Sequence, residues 1–133
     1  MRRQSKKHRQ RAEESREIRE IQINNAGKCW ICGHSPRNPH RDKPLSCSQL
    51  CCHEICGGPH RQNLLDKPHS LLVLCWYCNG EEVEDRDKWP EARQLAVLKK
   101  NNPHVYDLGA HNMIVNPNAP NRVTQEEVDQ YEY

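Results

Sequence analysis

The chain has no phenylalanine. Aromatic residues make up 5% and apolar residues 35% of its 133 positions, and eight of the apolar residues are cysteines. So little apolar material excludes a large hydrophobic core, and one small domain with tails is the expectation. A core of that size needs a staple, either disulfides or a metal. Long apolar runs are missing as well. Residues 1–20 are charged and polar, which excludes a secretory signal or a membrane span within them. The expectation is a protein of a reducing cytoplasm with no membrane partner, where paired cysteines bind metal more often than each other.

Charge of one sign is missing at each end. Residues 1–11 carry Arg2, Arg3, Lys6, Lys7, Arg9 and Arg11 with no acid, while after Arg122 come Glu126, Glu127, Asp129 and Glu132 with no base. The net charge of +2 is by itself a weak pointer to nucleic acid. A basic head can neutralise phosphates and add salt-dependent, sequence-blind affinity. It can equally be a solvated tail that keeps the protein soluble.

Over residues 11–23, Glu13, Glu14, Glu17 and Glu20 are set against Arg16 and Arg19, with Ile18 and Ile21 three apart. This pattern predicts a short helix laced by charge pairs one turn apart, ended by Asn24-Asn25-Ala26-Gly27. After the knuckle Cys29-Trp30-Ile31-Cys32-Gly33, the prolines Pro36, Pro39 and Pro44 mark an exposed, irregular loop. Residues 45–55 read as a first strand without clean alternation, stopped by Gly57-Gly58-Pro59. The run Leu71-Leu72-Val73-Leu74 reads as a buried strand or a buried helical approach. Residues 90–100 predict a helix with Pro90 in the first turn, Ala92, Leu95 and Ala96 toward one face, and Lys99 and Lys100 at its C-terminal end. In the tail, Thr124 and Glu127 predict a capping box, with Val123 and Val128 as its hydrophobic staple. The chain thus divides into a basic arm and helix at 1–26, a zinc-binding domain at 27–100, and an extension at 101–133 with a short acidic helix.

The strongest feature is a pair of Cys-x-x-Cys knuckles, Cys29 with Cys32 and Cys75 with Cys78. Two thiolates three positions apart can converge on one ion, and two knuckles complete the tetrahedral sulfur shell that zinc favours. A redox dithiol would need one pair and a thioredoxin-like context that is absent. Cys47, Cys51, Cys52 and Cys56 flank His53 and could furnish a second metal site. We read them instead as small buried residues, because adjacent Cys51 and Cys52 point to opposite faces of any strand.

Between the knuckles run Cys52-His53-Glu54-Ile55, Gly58-Pro59-His60-Arg61 and Ser70-Leu71-Leu72-Val73-Leu74, and beyond them Trp89-Pro90-Glu91-Ala92-Arg93-Gln94. Over residues 27–100 this order resembles the zinc-knuckle, four-cysteine branch of the HNH endonucleases, especially small phage-type members with a His-Glu-Ile motif. The resemblance implies a small α+β fold with a treble-clef-like ββα-metal core and flanking helices. In it, two strands and a helix surround one catalytic divalent ion, and cysteine-bound structural zinc holds hairpin to helix. It also implies hydrolysis of DNA phosphodiesters, with Mg2+, Mn2+ or Zn2+ as Lewis acid and a histidine activating water.

Carried over residue by residue, the catalytic positions fall on His53, Glu54 and Asn79. Alignment on the isoleucine puts His53 at the ligand position and Glu54 at the base position. The chemistry favours the reverse, a neutral histidine as base and a carboxylate as hard-metal ligand. Adjacent residues of a regular strand face opposite ways, so both acting at one ion requires a bulge or a strand end. Ser70 stands at the family's middle asparagine and Asn79 at its final histidine, where its carbonyl oxygen suits Mg2+ or where it simply caps a helix. Arg61, with His60 beside it in the glycine-flanked loop, suits a phosphate clamp, or else an ion pair with Asp66.

The function expected from this is a metal-dependent DNA endonuclease or nickase, with DNA as partner, acting as monomer or homodimer in a phage or bacterial cytoplasm. The alternative is a catalytically inactive zinc module that binds nucleic acid or protein. A third reading is a zinc-stapled structural protein in a larger assembly.

Overall fold

The computed structural model describes residues 6–55, 61–82, 89–118, 120 and 122–131. It is a small α+β protein whose sheet has two antiparallel strands. In order come helix α1 (Lys6–Ala26), strand β1 (Leu50–Glu54), the short helix α2 (Arg61–Leu64), strand β2 (Leu71–Cys75), and helices α3 (Glu91–Asn101), α4 (Leu108–Val115) and α5 (Gln125–Asp129). Among the described residues no helix is long and apolar enough to cross a membrane.

Helix α1 starts earlier than the sequence pattern predicts and takes in much of the basic head. It ends where expected. Gly27 adopts φ +69, a left-handed conformation that suits glycine, and its N–H reaches the Ile23 carbonyl at 3.0 Å. The inward stripe runs through Ser15, Ile18, Arg19, Gln22 and Ile23, while Ile21 points to solvent. Ser15 is buried and turns its hydroxyl back to the Ala12 carbonyl at 3.1 Å, so no large side chain holds the helix off the sheet.

The first strand is half the expected length. Residues 45–48 instead form a tight helical turn, closed by Cys47 N–H on the Pro44 carbonyl at 3.0 Å. The buried Ser48 hydroxyl accepts from the His40 N–H at 2.9 Å, a tertiary bond that an extended strand would not make. Strand β1 then pairs with β2 in unbroken register, from Leu50 opposite Cys75 to Glu54 opposite Leu71. The ladder continues at both ends through Trp76 N–H on Gln49 O and Ile55 N–H on Ser70 O, each at 2.9 Å.

All five residues of β2 are buried. Opposed residues of an antiparallel pair share a face. His53 lies with Leu72 on the side of α3, and Cys52 lies with Val73 on the side of α1. Burying a residue such as Leu72 or Leu74 stabilises the fold by about 1.5–3 kcal/mol, so this strand sandwiched between two helices is the centre of the core. Helix α3 begins one residue later than expected, with Pro90 as its N-cap. Its buried residues occupy more than one face, because α5 packs on it as well as β2. The capping box of Thr124 and Glu127 forms, and the staple residue Val128 enters the core with Val123 packed against it.

The sequence reading missed two helices, the short α2 within the expected glycine-flanked loop and α4. The signal of α4 is Asp107, whose carboxylate accepts from Ala110 N–H at 3.0 Å, while Gly109 inside the helix obscures the pattern.

Candidate metal centre

The first knuckle is a closed turn. Gly33 sits at φ +79 with its N–H on the Cys29 carbonyl at 3.0 Å, and Cys29 N–H reaches the His34 carbonyl at 2.8 Å. Ile31 N–H points at the Cys29 sulfur at 3.4 Å. The second knuckle continues from β2, where Cys78 N–H lies 3.4 Å from the Cys75 sulfur. One long-range bond brings the knuckles together, Trp30 N–H to the Val73 carbonyl at 3.0 Å on the free edge of β2.

The four sulfurs of Cys29, Cys32, Cys75 and Cys78 all lie within 4.8 Å of one another, three of them on buried residues and Cys32 on a partly exposed one. Cys32 and Cys75 sulfurs are 3.6 Å apart and unbonded. A tetrahedral zinc with bonds of about 2.3 Å to sulfur has edges of about 3.8 Å, so this cluster could hold a zinc ion.

The electrostatics of the thiols fit a cation. Hydrogen bonding from Cys78 holds the Cys29 thiol at about 4, helped by backbone N–H groups of the knuckles. The same bond and burial push Cys78 up, and burial pushes Cys32 up to about 12. Left to themselves the thiols concentrate negative charge on one sulfur. A divalent cation offsets the repulsion and desolvation that keep the others protonated.

The remaining cysteines stay apart from this cluster. Cys51 points its sulfur at the Leu74 carbonyl at 3.4 Å, and Cys52 points at the Arg19 carbonyl at 3.6 Å from the other face. Burial pushes the Cys52 thiol up to about 12. Cys47, Cys51 and Cys52 belong to no metal-holding group among the described residues, and Cys56 lies outside them.

The loop at 33–44 is largely exposed and irregular, as expected, but it is not shapeless. Ser35 and Asn38 bridge each other, and the chain doubles back so that His40 reaches the metal centre. Its Nε2 lies 3.4 Å from the Cys75 sulfur and 3.6 Å from the Cys32 sulfur. His34 stacks on it with ring centroids 4.0 Å apart. Neither histidine carries a local sequence signal, since their spacing from Cys32 matches no knuckle pattern.

The residues expected to be catalytic are spread over the fold. His53 is 7% exposed, and its Nε2 lies 3.0 Å from Gln94 Oε1. Gln94 donates its amide N–H to the Trp89 carbonyl at 3.2 Å, so its oxygen faces the imidazole. That oxygen can only accept. His53 therefore carries its proton on Nε2 and keeps Nδ1 as the accepting nitrogen. Glu54 ends β1 in regular register, with no bulge before it, so it faces away from His53. Asn79 lies in the wide π-helical segment Cys78–Glu82, and its Oδ1 is buried with no hydrogen-bond partner among the described residues. His60 lies outside the described residues, and of Arg61 only the backbone of α2 is described.

Ser70 braces a different partner from the one the resemblance implies. Its hydroxyl lies 2.6 Å from His111 Nδ1 and 2.8 Å from His69 Nδ1. His111 Nε2 is 3.3 Å from Glu91 Oε1, and Asn116 donates to the same carboxylate at 2.9 and 3.1 Å. With both imidazoles neutral, this geometry lets the protons run one way, from His69 to Ser70 to His111 to Glu91. The connectivity is that of a nucleophile, base and acid, but Ser70 and His111 are 0% exposed. No substrate reaches them, and the chain serves as a strut that ties α4 to the start of β2.

The fold and the four thiols define a small α+β protein with a candidate zinc centre. No protein-family model, curated protein or solved structure matches the chain.

Proposed function

We propose that the chain is a metal-dependent DNA endonuclease or nickase of the HNH type. Its treble-clef-like core would be held by a structural zinc on Cys29, Cys32, Cys75 and Cys78. The observation that carries this reading is the Gln94 oxygen 3.0 Å from His53 Nε2, which fixes the orientation of the imidazole beside α3. Neutral imidazole held in one tautomer by a fixed acceptor is what a water-activating base requires.

Asn79 supports the reading. A buried amide oxygen without a donor costs about 1–3 kcal/mol, and a hard cation is one partner that relieves it. A catalytic Mg2+ or Mn2+ would supply Lewis-acid stabilisation of the scissile phosphate and the leaving 3′-oxygen. His53 takes the proton of the attacking water, Asn79 offers its oxygen to the ion, and Arg61 with His60 clamps a neighbouring phosphate. Glu54, on the opposite face of β1, acts only if the strand end turns. The basic first turns of α1 add salt-dependent affinity for DNA.

The second reading is an inactive zinc module that binds nucleic acid or protein. The burial of His53 and the placement of Glu54 on the other face of β1 favour it. A plasmid-nicking assay with Mg2+ or Mn2+ separates the two. The nuclease reading expects nicking by the wild type that His53→Ala abolishes. Equal background in both, with salt-sensitive DNA binding intact, leaves the second reading.

A further inference from the structure

We propose that Cys32, His34 and His40 form a second metal site, for zinc or a similar borderline-soft divalent cation, which shares the Cys32 thiolate with the four-cysteine centre. One sulfur and two imidazole nitrogens from these residues lie within 4.8 Å of one another. The Cys32 sulfur to His40 Nε2 distance is 3.6 Å. A tetrahedral zinc with bonds of about 2.3 Å to sulfur and about 2.0–2.1 Å to nitrogen sets that edge at about 3.6 Å.

Local structure builds this arrangement. His34 leaves the first knuckle directly after the left-handed Gly33. Its Nδ1 lies 3.0 Å from the Asn38 carbonyl, which can only accept, so the proton sits on Nδ1 and Nε2 keeps the lone pair. A backbone carbonyl that orients a histidine in this way is the usual outer partner of a metal ligand. The Ser35–Asn38 bridge reverses the chain, and the His40 N–H on the buried Ser48 hydroxyl at 2.9 Å anchors the return. Both imidazoles are half-buried beside an open cleft of about 430 Å³ lined also by Asn38 and Asp42.

The simpler explanation of His40 is an N–H donor to the sulfurs of the first centre. It accounts for His40 alone and gives no role to the stacked, carbonyl-oriented His34. One thiolate with two imidazoles selects zinc, cobalt or copper over Mg2+ or Ca2+. Three protein ligands leave a fourth position to solvent, the arrangement of reactive rather than purely structural zinc sites. The inference does not depend on nuclease activity. It touches the four-cysteine reading through the shared Cys32 and through Cys75, whose sulfur lies 3.4 Å from His40 Nε2.

The test is metal stoichiometry of the full chain by native mass spectrometry, after reloading with Zn2+, and by optical titration with Co2+. Two ions per chain are expected, falling to one in the double variant His34→Ala, His40→Ala with helical circular dichroism retained. One ion in the saturated wild type, or two in the double variant, overturns the proposal. If the double variant does not fold, the wild-type Co2+ titration decides. A spectrum that changes between the first and second equivalents supports the second site, and a single species saturating at one equivalent overturns it. Failure of the four-cysteine reading looks different, because Cys29→Ser would then keep the wild-type metal content.

Discussion

Gln94 and His53 meet 3.0 Å apart in the core between β1 and α3, and the same Gln94 amide is tied to the Trp89 carbonyl at 3.2 Å. The pair joins two segments forty-one residues apart in sequence, and both side chains are buried. Gln94→Leu keeps the volume roughly constant but leaves the His53 N–H without its acceptor. The expected loss is about 1–3 kcal/mol of stability, measured by chemical denaturation. Imidazole nitrogen chemical shifts should lose the single Nε2–H tautomer. An unchanged tautomer would mean that something other than Gln94 holds the ring.

Cys29→Ser should abolish both zinc binding and folding. Structural zinc in small domains supplies about 10–16 kcal/mol, comparable with or larger than the whole stability of a small domain, about 5–15 kcal/mol. Chelation of the wild type should have the same effect. Cys52→Ser is the contrast, since its sulfur meets only the Arg19 carbonyl, and a hydroxyl can replace that contact. Metal analysis and circular dichroism on both variants check the prediction, which fails if Cys52→Ser also loses the ion.

Ser70→Ala cuts the strut between β2 and α4. His111 then has a ring nitrogen buried without its partner at 0% exposure, at an expected cost of about 1–3 kcal/mol. Because the strut is local, amides of α4 should exchange faster with solvent while those of β2 keep their protection. Uniform loss across both elements would show instead that α4 is integral to the cooperative unit.

His69 titrates below the ordinary histidine value of 6.5, through burial first and then through nearby His111. Above pH 6.5 the ring is neutral in folded and unfolded chains alike. As the pH falls through 6.5 the unfolded chain takes up a proton that the folded chain resists. The contribution of His69 is therefore complete above that pH and is lost as the pH falls toward the folded value. An NMR titration of the imidazole should place its midpoint below 6.5, and a midpoint at or above 6.5 contradicts the burial argument.

Features set by neighbours a few residues away were legible in the sequence. The capping box at Thr124, the stop at Gly27, helix α3 behind Pro90 and the two knuckles each depend on contacts within about one turn. The front of the expected first strand was not legible, because Ser48 is drawn into a turn by His40, a residue from another loop. Along α1 it is Ser15 that is buried and Ile21 that is exposed, an order that side-chain hydropathy alone does not give.

By itself, then, the sequence determined the two thiol pairs, the buried β2 run, the C-terminal ends of α1 and α3 and the start of α5, all of which follow from spacing and local hydrogen bonding. Only the tertiary structure decided that the four sulfurs meet and that His34 and His40 fold back beside Cys32. It also decided that His53 and Glu54 part to opposite faces and that Ser70 answers to His111. The physical reason is register. Once His53 is opposite Leu72, the two-residue period of the strand assigns every side chain of β1 to a face, and no local pattern contains that pairing.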